Sequence, residues 1–374
     1  MQFGLSESQT ILKNNARKFF ATECPISEVR RLMEGDTAYD AALWRKMAGQ
    51  GYMGVVIPEE YGGLGLGMVE LAVLLEEMGM AMVPGPYFST VVLAGTLLAR
   101  AGNDDQKRKY LAPIADGGAR ATVALLEKSA RWDPAAVRLE MKDGLISGEK
   151  FFVPDAGVAD FVITVARHGG DLVLALVNAR ASGFDARPMP ALDLTRKLYR
   201  LTYDCVAAEV LARGAAAEAA LEAMLDVGAM GLAAELAGGM QRVLDIAVAY
   251  VKTRKQFGKP VGQFQAVQHQ CADMLVYTES SKSAAYYAAW ALQEGIPEAP
   301  VAVSVAKAYT SDAGREVGNR GIQVHGGMGF TWENDVHLYY RRAKANEIAL
   351  GDATFHRERI AKLVVDKAAR PAVA

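Results

Sequence analysis

The period of the hydrophobic pattern changes twice along this chain, and those two changes constrain its fold more than any other feature. From Ser6 to about residue 118 the sequence reads as helices separated by Gly/Pro turns: Ser6 to Ala21, Ala41 to Gly51, Met68 to Met82, Ser89 to Ala101 and Asp104 to Leu111. Ser6 precedes Glu7-Ser8-Gln9 in capping-box spacing, and Asp104 opens a helix after Gly102-Asn103. Around Arg120 the pattern switches to short β-branched and aromatic runs: Thr122-Val123, Leu145-Ile146, Phe151-Phe152-Val153, Phe161 to Val165 and Leu172 to Val177. The last two flank His168-Gly169-Gly170-Asp171, a hairpin turn.

From Gly214 onward four long helical patterns follow: Ala215 to Thr253, Gln265 to Glu294, Val301 to Gly318, and Asp335 to roughly Lys367. In the second, Val267, Cys271 and Met274 recur at i, i+4, i+7, the spacing of a buried stripe. The expected fold is mainly α with a central β domain. Residues 1–118 form a helical domain, 119–212 a β-barrel or sandwich, and 213–374 a four-helix bundle.

At 374 residues the chain suits two or three domains and can bury a large cofactor. Its 41 basic and 43 acidic side chains leave a formal charge of −2, which argues against nucleic acid as the main partner. Cys24, Cys205 and Cys271 are far apart and odd in number, so no disulfide framework is indicated and a reducing cytoplasm fits best. No basic region followed by an apolar run opens the chain, so a signal peptide is not expected. Met78 to Ala99 carries no charge and is long enough to span a bilayer, but Pro84-Gly85-Pro86 interrupts it. Two buried helices joined by a turn are expected there, not a membrane span. The five histidines show no i, i+4 pairing, so no His-based metal site is expected.

Two motifs in the last third carry chemistry. Arg254 precedes Phe257-Gly258, and Gln323-Val-His-Gly326-Gly327-Met-Gly329 follows further on. An arginine before a turn can pair bidentately with a phosphate, and adjacent glycines let backbone approach a pyrophosphate. The plainer alternative is a solvated charge at a helix end and an ordinary turn. A decoy lies at Gly63-Leu-Gly65-Leu-Gly67 after Val55-Val56-Ile57: it lacks the third glycine of G-x-G-x-x-G, and no βαβ unit follows.

Helices, then a β domain, then a bundle carrying Arg-Lys-Gln-Phe-Gly and Gln-Val-His-Gly-Gly-Met-Gly-Phe-Thr resembles the acyl-CoA dehydrogenase family. The similarity includes Ile57-Pro58-Glu59-Glu60-Tyr61-Gly62-Gly63-Leu64-Gly65, Gln263-Phe264-Gln265 and Ala272-Asp273-Met274, and it covers almost the whole chain. It implies FAD, an acyl-CoA substrate, lipid or sterol catabolism, an electron-transfer acceptor, and a tetramer built as a dimer of dimers with FAD shared across the interface. Carried over, Arg254 would grip the pyrophosphate, Phe257 would pack by the adenosine and Gln265 would hydrogen-bond near it. Gln323, Gly326 and Gly327 would line the adenosine diphosphate channel, with Asp352 and Thr354 nearer the flavin. The glycine decoy would be a turn in the helical domain.

The resemblance also shows what has changed. Where the family holds the flavin ring with Thr-Glu-Pro, Gly-Ser-Asp and Trp-x-Thr segments, this chain has Leu126-Glu127-Lys128, Arg131-Trp132-Asp133 and Phe152-Val153-Pro154. Hydroxyls are lost at Leu126, Trp132 and Pro154; Glu127 and Asp133 persist, and Phe152 keeps an aromatic wall. The family's catalytic glutamate falls at Leu350 or, in some members, at Gly228, and neither residue accepts a proton. Glu235 and Asp352 are the two carboxylates near those positions, and the catalytic residue is left unassigned. Four readings follow: a homo-oligomeric dehydrogenase with a displaced base, a partner subunit of a heteromeric one, a non-catalytic acyl-CoA-binding scaffold, and a base-free flavin oxidase or monooxygenase. Val83, Phe88 and Met230 are candidates for an acyl tunnel, with core packing as the plainer role.

Overall fold

The computed structural model describes residues 4–366. The N-terminal helices are α1 (Glu7–Glu23), α2 (Ile26–Glu34), α3 (Ala41–Gly49), α4 (Met68–Ala81), α5 (Gly95–Ala101) and α6 (Asp104–Ala115). Eight strands follow: β1 (Ala121–Ala124), β2 (Met141–Lys142), β3 (Leu145–Pro154), β4 (Phe161–His168), β5 (Asp171–Asn178), β6 (Phe184–Met189), β7 (Leu198–Ala207) and β8 (Glu209–Arg213). The C-terminal part holds α7 (Ala215–Thr253), the short pair β9 (Lys255–Gln256) and β10 (Lys259–Pro260), α8 (Gln265–Glu294), α9 (Ala299–His325), α10 (Val336–Ile348) and α11 (Ala353–Ala361). The fold is therefore a helical N-terminal domain, a middle β domain and a C-terminal helical bundle.

Local signals set many of these boundaries. Ser6 and Gln9 form a reciprocal capping box at α1, and Asn103 with Gln106 does the same at α6, so the orphan N–H groups of both first turns are satisfied. Helix α6 runs on past Leu111 to Ala115 with Pro113 inside it. The segment expected as a single helix from Ser89 opens as a π-helix, Phe88–Ala94, before α5. Helix α2, strands β2, β6, β7 and β8 and the short β9–β10 pair form where the sequence pattern marks no element. The glycine decoy is a turn: Leu64, Gly65 and Leu66 donate their N–H groups to Gly54, Ile57 and Val55. A cradle for phosphate needs those donors free, so none exists there.

By contact density the chain divides into two compact units. One comprises Ser27–Gly67 and Pro84–Gly228 and contains two four-stranded sheets, ordered β1-β4-β5-β8 and β2-β3-β7-β6. Only β1 and β4 are parallel; the other pairs are antiparallel. Val162, Val173, Ala175, Ile146, Leu201 and Tyr203 from the two sheets share one apolar core. Gly169 and Gly170, both at positive φ, close the β4–β5 hairpin with His168 opposite Asp171, as the sequence indicates.

The other unit takes in the chain up to Ile26, Met68–Val83, and everything from Ala229 on. Its core is built by α7, α8, α9 and α10, with α1 laid on α4. Glu76 and Glu77 of α4 are buried, and charged partners explain why that is tolerated. Arg17 forks onto Glu77 at 2.8 and 2.9 Å, and Lys13 reaches Glu76 at 2.6 Å. Met274 of the expected α8 stripe is fully buried, but Val267 and Cys271 are only half-buried; Cys271 faces an open groove lined by Leu244, Val248 and Leu275. Asp335 to Lys367 is not one helix, because Leu350 and Gly351 at φ 56° and 97° break it between α10 and α11; Lys367 lies outside the described residues. Val83, Phe88 and Met230 are all buried. No helix among the described residues is long and apolar enough to cross a membrane.

Candidate functional site

Helix α7 delivers Arg254 directly into a two-residue hairpin. Gln256 pairs with Lys259 and Lys255 with Pro260, leaving Phe257 and Gly258 as the turn at φ 52° and 80°. Two left-handed residues in a row define a type I′ turn, where asparagine-glycine is the usual choice. Phenylalanine there is strained by roughly 1–3 kcal/mol, and strain of that kind clusters at ligand sites. The turn throws Phe257 outward to 91% exposure, edge-on to Phe264 at 6.1 Å. Among the described residues no carboxylate pairs with Arg254, Lys252, Lys255 or Lys259, so the tip is an uncompensated basic surface. Lys259 Nζ lies 4.4 Å over the Phe264 ring.

The second motif lies where α9 ends. Gly326, at φ 59°, donates its N–H to Gln323 O and terminates the helix. A Cβ at Gly326, Gly327 or Gly258 would meet nothing within 4 Å, so packing does not require these glycines and their backbone is open to an incoming group. Gly329 differs: its Cβ would lie 2.5 Å from Ile322 O, a packing role. Gln323 and Gln265, the first residue of α8, are both exposed. Tyr250, which neither motif includes, joins them through His325 of the second motif. Tyr250, one turn before Arg254, stacks on His325 at 4.4 Å and donates its hydroxyl to His325 O at 3.3 Å. Burial holds the His325 imidazole below its ordinary value, so it is neutral beside Gly326. A cationic fork, an exposed aromatic and bare backbone are the donor set that a nucleotide diphosphate requires, and the residues present fit the adenosine diphosphate half of FAD.

The β half offers much less. Leu126 is buried. Pro154 uses its carbonyl to accept from the Thr122 hydroxyl at 2.6 Å. The two acids that survive from the family pattern are committed internally. Asp133 accepts from Ala135 N at 2.9 Å, capping a short turn, and Glu127 accepts from the N–H groups of Arg138 and Leu139 and from the Lys150 ammonium at 3.0 Å. Lys150 is wholly buried, and burial pushes its pKa down to about 8. Arg131 and Phe152 are exposed and Trp132 is half-buried. No hydroxyl stands where the resemblance expects contacts to a flavin ring.

Both carboxylates near the family's base positions already make internal contacts. Glu235 is buried and ion-paired with the equally buried Arg342 of α10, which fixes its pose. Asp352 is the N-cap of α11, accepting from Phe355 N at 2.8 Å. Thr354, in the same first turn, is exposed. Leu350 is buried in the turn before them, fixed by His356, whose Nε2 lies 3.0 Å from Leu350 O.

Burial, and then the Lys307 charge, push the His356 pKa down to about 4. The unfolded imidazole binds a proton below its ordinary 6.5, so this contribution to stability is complete above pH 6.5 and is lost as pH falls through about 4. Its size is roughly 3 kcal/mol at 1.36 kcal/mol per pKa unit. Denaturant melts of His356→Gln between pH 7 and 4 should show a flatter loss of stability than the wild type. Parallel pH profiles would contradict the assignment.

A helical domain, a β domain and a helical bundle follow one another along the chain. The chain belongs to the acyl-CoA dehydrogenase family: residues 6–118 match its N-terminal domain and residues 214–365 its C-terminal domain. It is 32% identical over 338 residues to the acyl-CoA dehydrogenase IpdE2 of Mycobacterium tuberculosis, covering 90% of this chain and 91% of that protein. Among solved structures it resembles a chain of a variant of the Tcur3481-Tcur3483 steroid ACAD, with 33% identity and TM-score 0.88 over 97% of this chain and 99% of that one. It also resembles a chain of the ChsE4-ChsE5 complex from Mycobacterium tuberculosis, with 27% identity and TM-score 0.89 over 100% of both.

Proposed function

We propose that this chain is the partner subunit of a heteromeric acyl-CoA dehydrogenase, donating contacts to the adenosine diphosphate half of FAD while a neighbouring chain supplies the flavin-ring pocket and the base. The observation that carries this reading is an asymmetry. Arg254 stands uncommitted beside exposed Phe257 and bare Gly326-Gly327, whereas Leu126, Pro154, Gly228 and Leu350 leave the flavin-ring and base positions without proton acceptors or hydroxyls. Random decay would not spare one half of a site and empty the other.

In this reading Arg254 forks onto the pyrophosphate, Phe257 packs on the adenosine, and Gln265 and Gln323 hydrogen-bond beside it. Gly326 and Gly327 let the backbone approach, and Asp352 and Thr354 are the polar groups the chain offers on the flavin side. When bound, FAD supplies the hydride acceptor for α,β-dehydrogenation of an acyl-CoA thioester. An assembly of two unlike chains, as a dimer of dimers, is supported by two similar structures being complexes of two named components, and by Leu275, Val276 and Tyr287 standing exposed on α8. The steroid ACAD among them favours a bulky, sterol-derived acyl group. An electron-transfer acceptor would reoxidise the flavin, and the cytoplasm is the proposed location.

The visible spectrum of the chain purified alone tests this. The expected result is little or no flavin absorbance and no bleaching by thioesters. Near-stoichiometric FAD that bleaches on adding an acyl-CoA would overturn the partner-subunit reading in favour of a self-sufficient enzyme.

A further inference from the structure

Lys307 lies in the middle of α9 with its side chain fully buried, an arrangement that folding tolerates only where every N–H is bonded. Its Nζ lies within hydrogen-bond distance of three acceptors, Ser311 Oγ at 3.0 Å, Glu347 O at 3.1 Å and Gly351 O at 2.8 Å. Glu347 O is one of the carbonyls that the end of α10 leaves without an intrahelical donor, and a cation is favoured there by the helix dipole. From the other side, His356 of α11 reaches Leu350 O. Carbonyls 347 and 351 are thus held by Lys307 of α9, and carbonyl 350 by His356 of α11.

Among the described residues no carboxylate bonds the Lys307 side chain directly; Glu347 and Asp352 act on it only through space. The Glu347 carboxylate is taken by Arg315 and Lys344, Asp352 caps α11, and Arg359 adds only positive charge on the α11 side. Burial pushes the Lys307 pKa down to about 7. The turn so held is strained: Leu350 is a non-glycine residue at φ 56°, and Gly351 follows at 97° with no room for a Cβ, which would lie 2.3 Å from Phe355 Cδ1. A left-handed leucine persists only where its surroundings over-determine it.

We propose that Lys307 and His356 are positioning residues: together they hold the strained Ala349–Asp352 turn in the one conformation that presents Asp352 and Thr354 at the start of α11. The consequence for FAD rests on the functional reading above, while the consequence for the turn does not.

The experiment uses the chain co-purified with its partner and compares wild type with Lys307→Met, His356→Leu and His356→Gln. Lys307→Met and His356→Leu should each lower amide-exchange protection at Gly351 to Thr354 at least tenfold and speed FAD release at least tenfold, well below their melting temperatures. His356→Gln, whose amide can donate to the same carbonyl, should restore both toward wild type, a rescue that loss of bulk packing would not show. If Lys307→Met does not fold, the Leu/Gln pair at His356 decides. Unchanged protection at the turn in His356→Leu overturns the proposal. A wild-type complex without FAD counts against the functional reading and leaves the exchange result to judge the turn.

Discussion

Gly238→Ala should abolish the folded, soluble chain. Helices α4 and α7 cross at Gly79 and Gly238, where each glycine faces backbone of the other helix. A Cβ on Gly238 would lie 1.8 Å from Glu76 O, and one on Gly79 would lie 2.0 Å from Glu235 O. Carbon and carbonyl oxygen do not approach that closely, so the helices would have to separate by an ångström or more. Glu76 and Glu77 lie beside this crossing with their buried ion pairs to Lys13 and Arg17, and Glu235 pairs with Arg342 on its other side. Leaving such a buried charge without its partner costs about 3–5 kcal/mol, comparable to the roughly 5–15 kcal/mol that holds a domain folded.

Gly239 provides the control. A Cβ there meets nothing closer than 3.8 Å, and alanine is favoured over glycine inside a helix by about 1 kcal/mol. Gly239→Ala should therefore express and melt at or slightly above wild type, while Gly238→Ala is insoluble or melts far below it. Equal melting of the two variants would refute the account of this crossing.

The second large effect concerns the cofactor. Replacing Arg254 by alanine should lower the FAD affinity of the assembled complex by about 100-fold or more, with little change in melting of the protein itself. Charge-assisted hydrogen bonds contribute roughly 1.5–3 kcal/mol each, and a guanidinium can make two to one pyrophosphate. Arg254 is exposed and unpaired in the folded chain, so removing it deletes no internal contact. Fluorescence titration of the apo-complex with FAD measures the affinity and a thermal melt measures the fold. An unchanged affinity would mean that the basic hairpin serves something other than FAD.

Much of this was legible from local sequence. The capping box at Ser6, the helix start after Asn103 and the Gly169-Gly170 turn need only neighbours a few residues apart, and Ala215–Thr253 and Gln265–Glu294 are helices over the spans their periodicity indicates. The sequence pattern indicates α9 only from Val301 to Gly318, because glycine usually punctuates a helix. Here Gly318 and Gly321 are packing positions, where a Cβ would strike Tyr340 at 2.6 Å and Val243 at 2.4 Å. The break after α10 was missed because it rests on a left-handed leucine, which no propensity signals. Of the candidate site, Arg254, Phe257 and Gly326-Gly327 were readable from motif spacing. The Tyr250–His325 stack that joins them was not, and neither was the Glu235–Arg342 pair, whose members are 107 residues apart in sequence.

The most direct test of the central claim is the flavin stoichiometry of the complex formed by co-expressing this chain with a dehydrogenase-like partner. A partner subunit predicts about one FAD per pair of unlike chains, with Arg254→Ala in this chain emptying that single site. Two FAD per pair, or full occupancy despite Arg254→Ala, would contradict it.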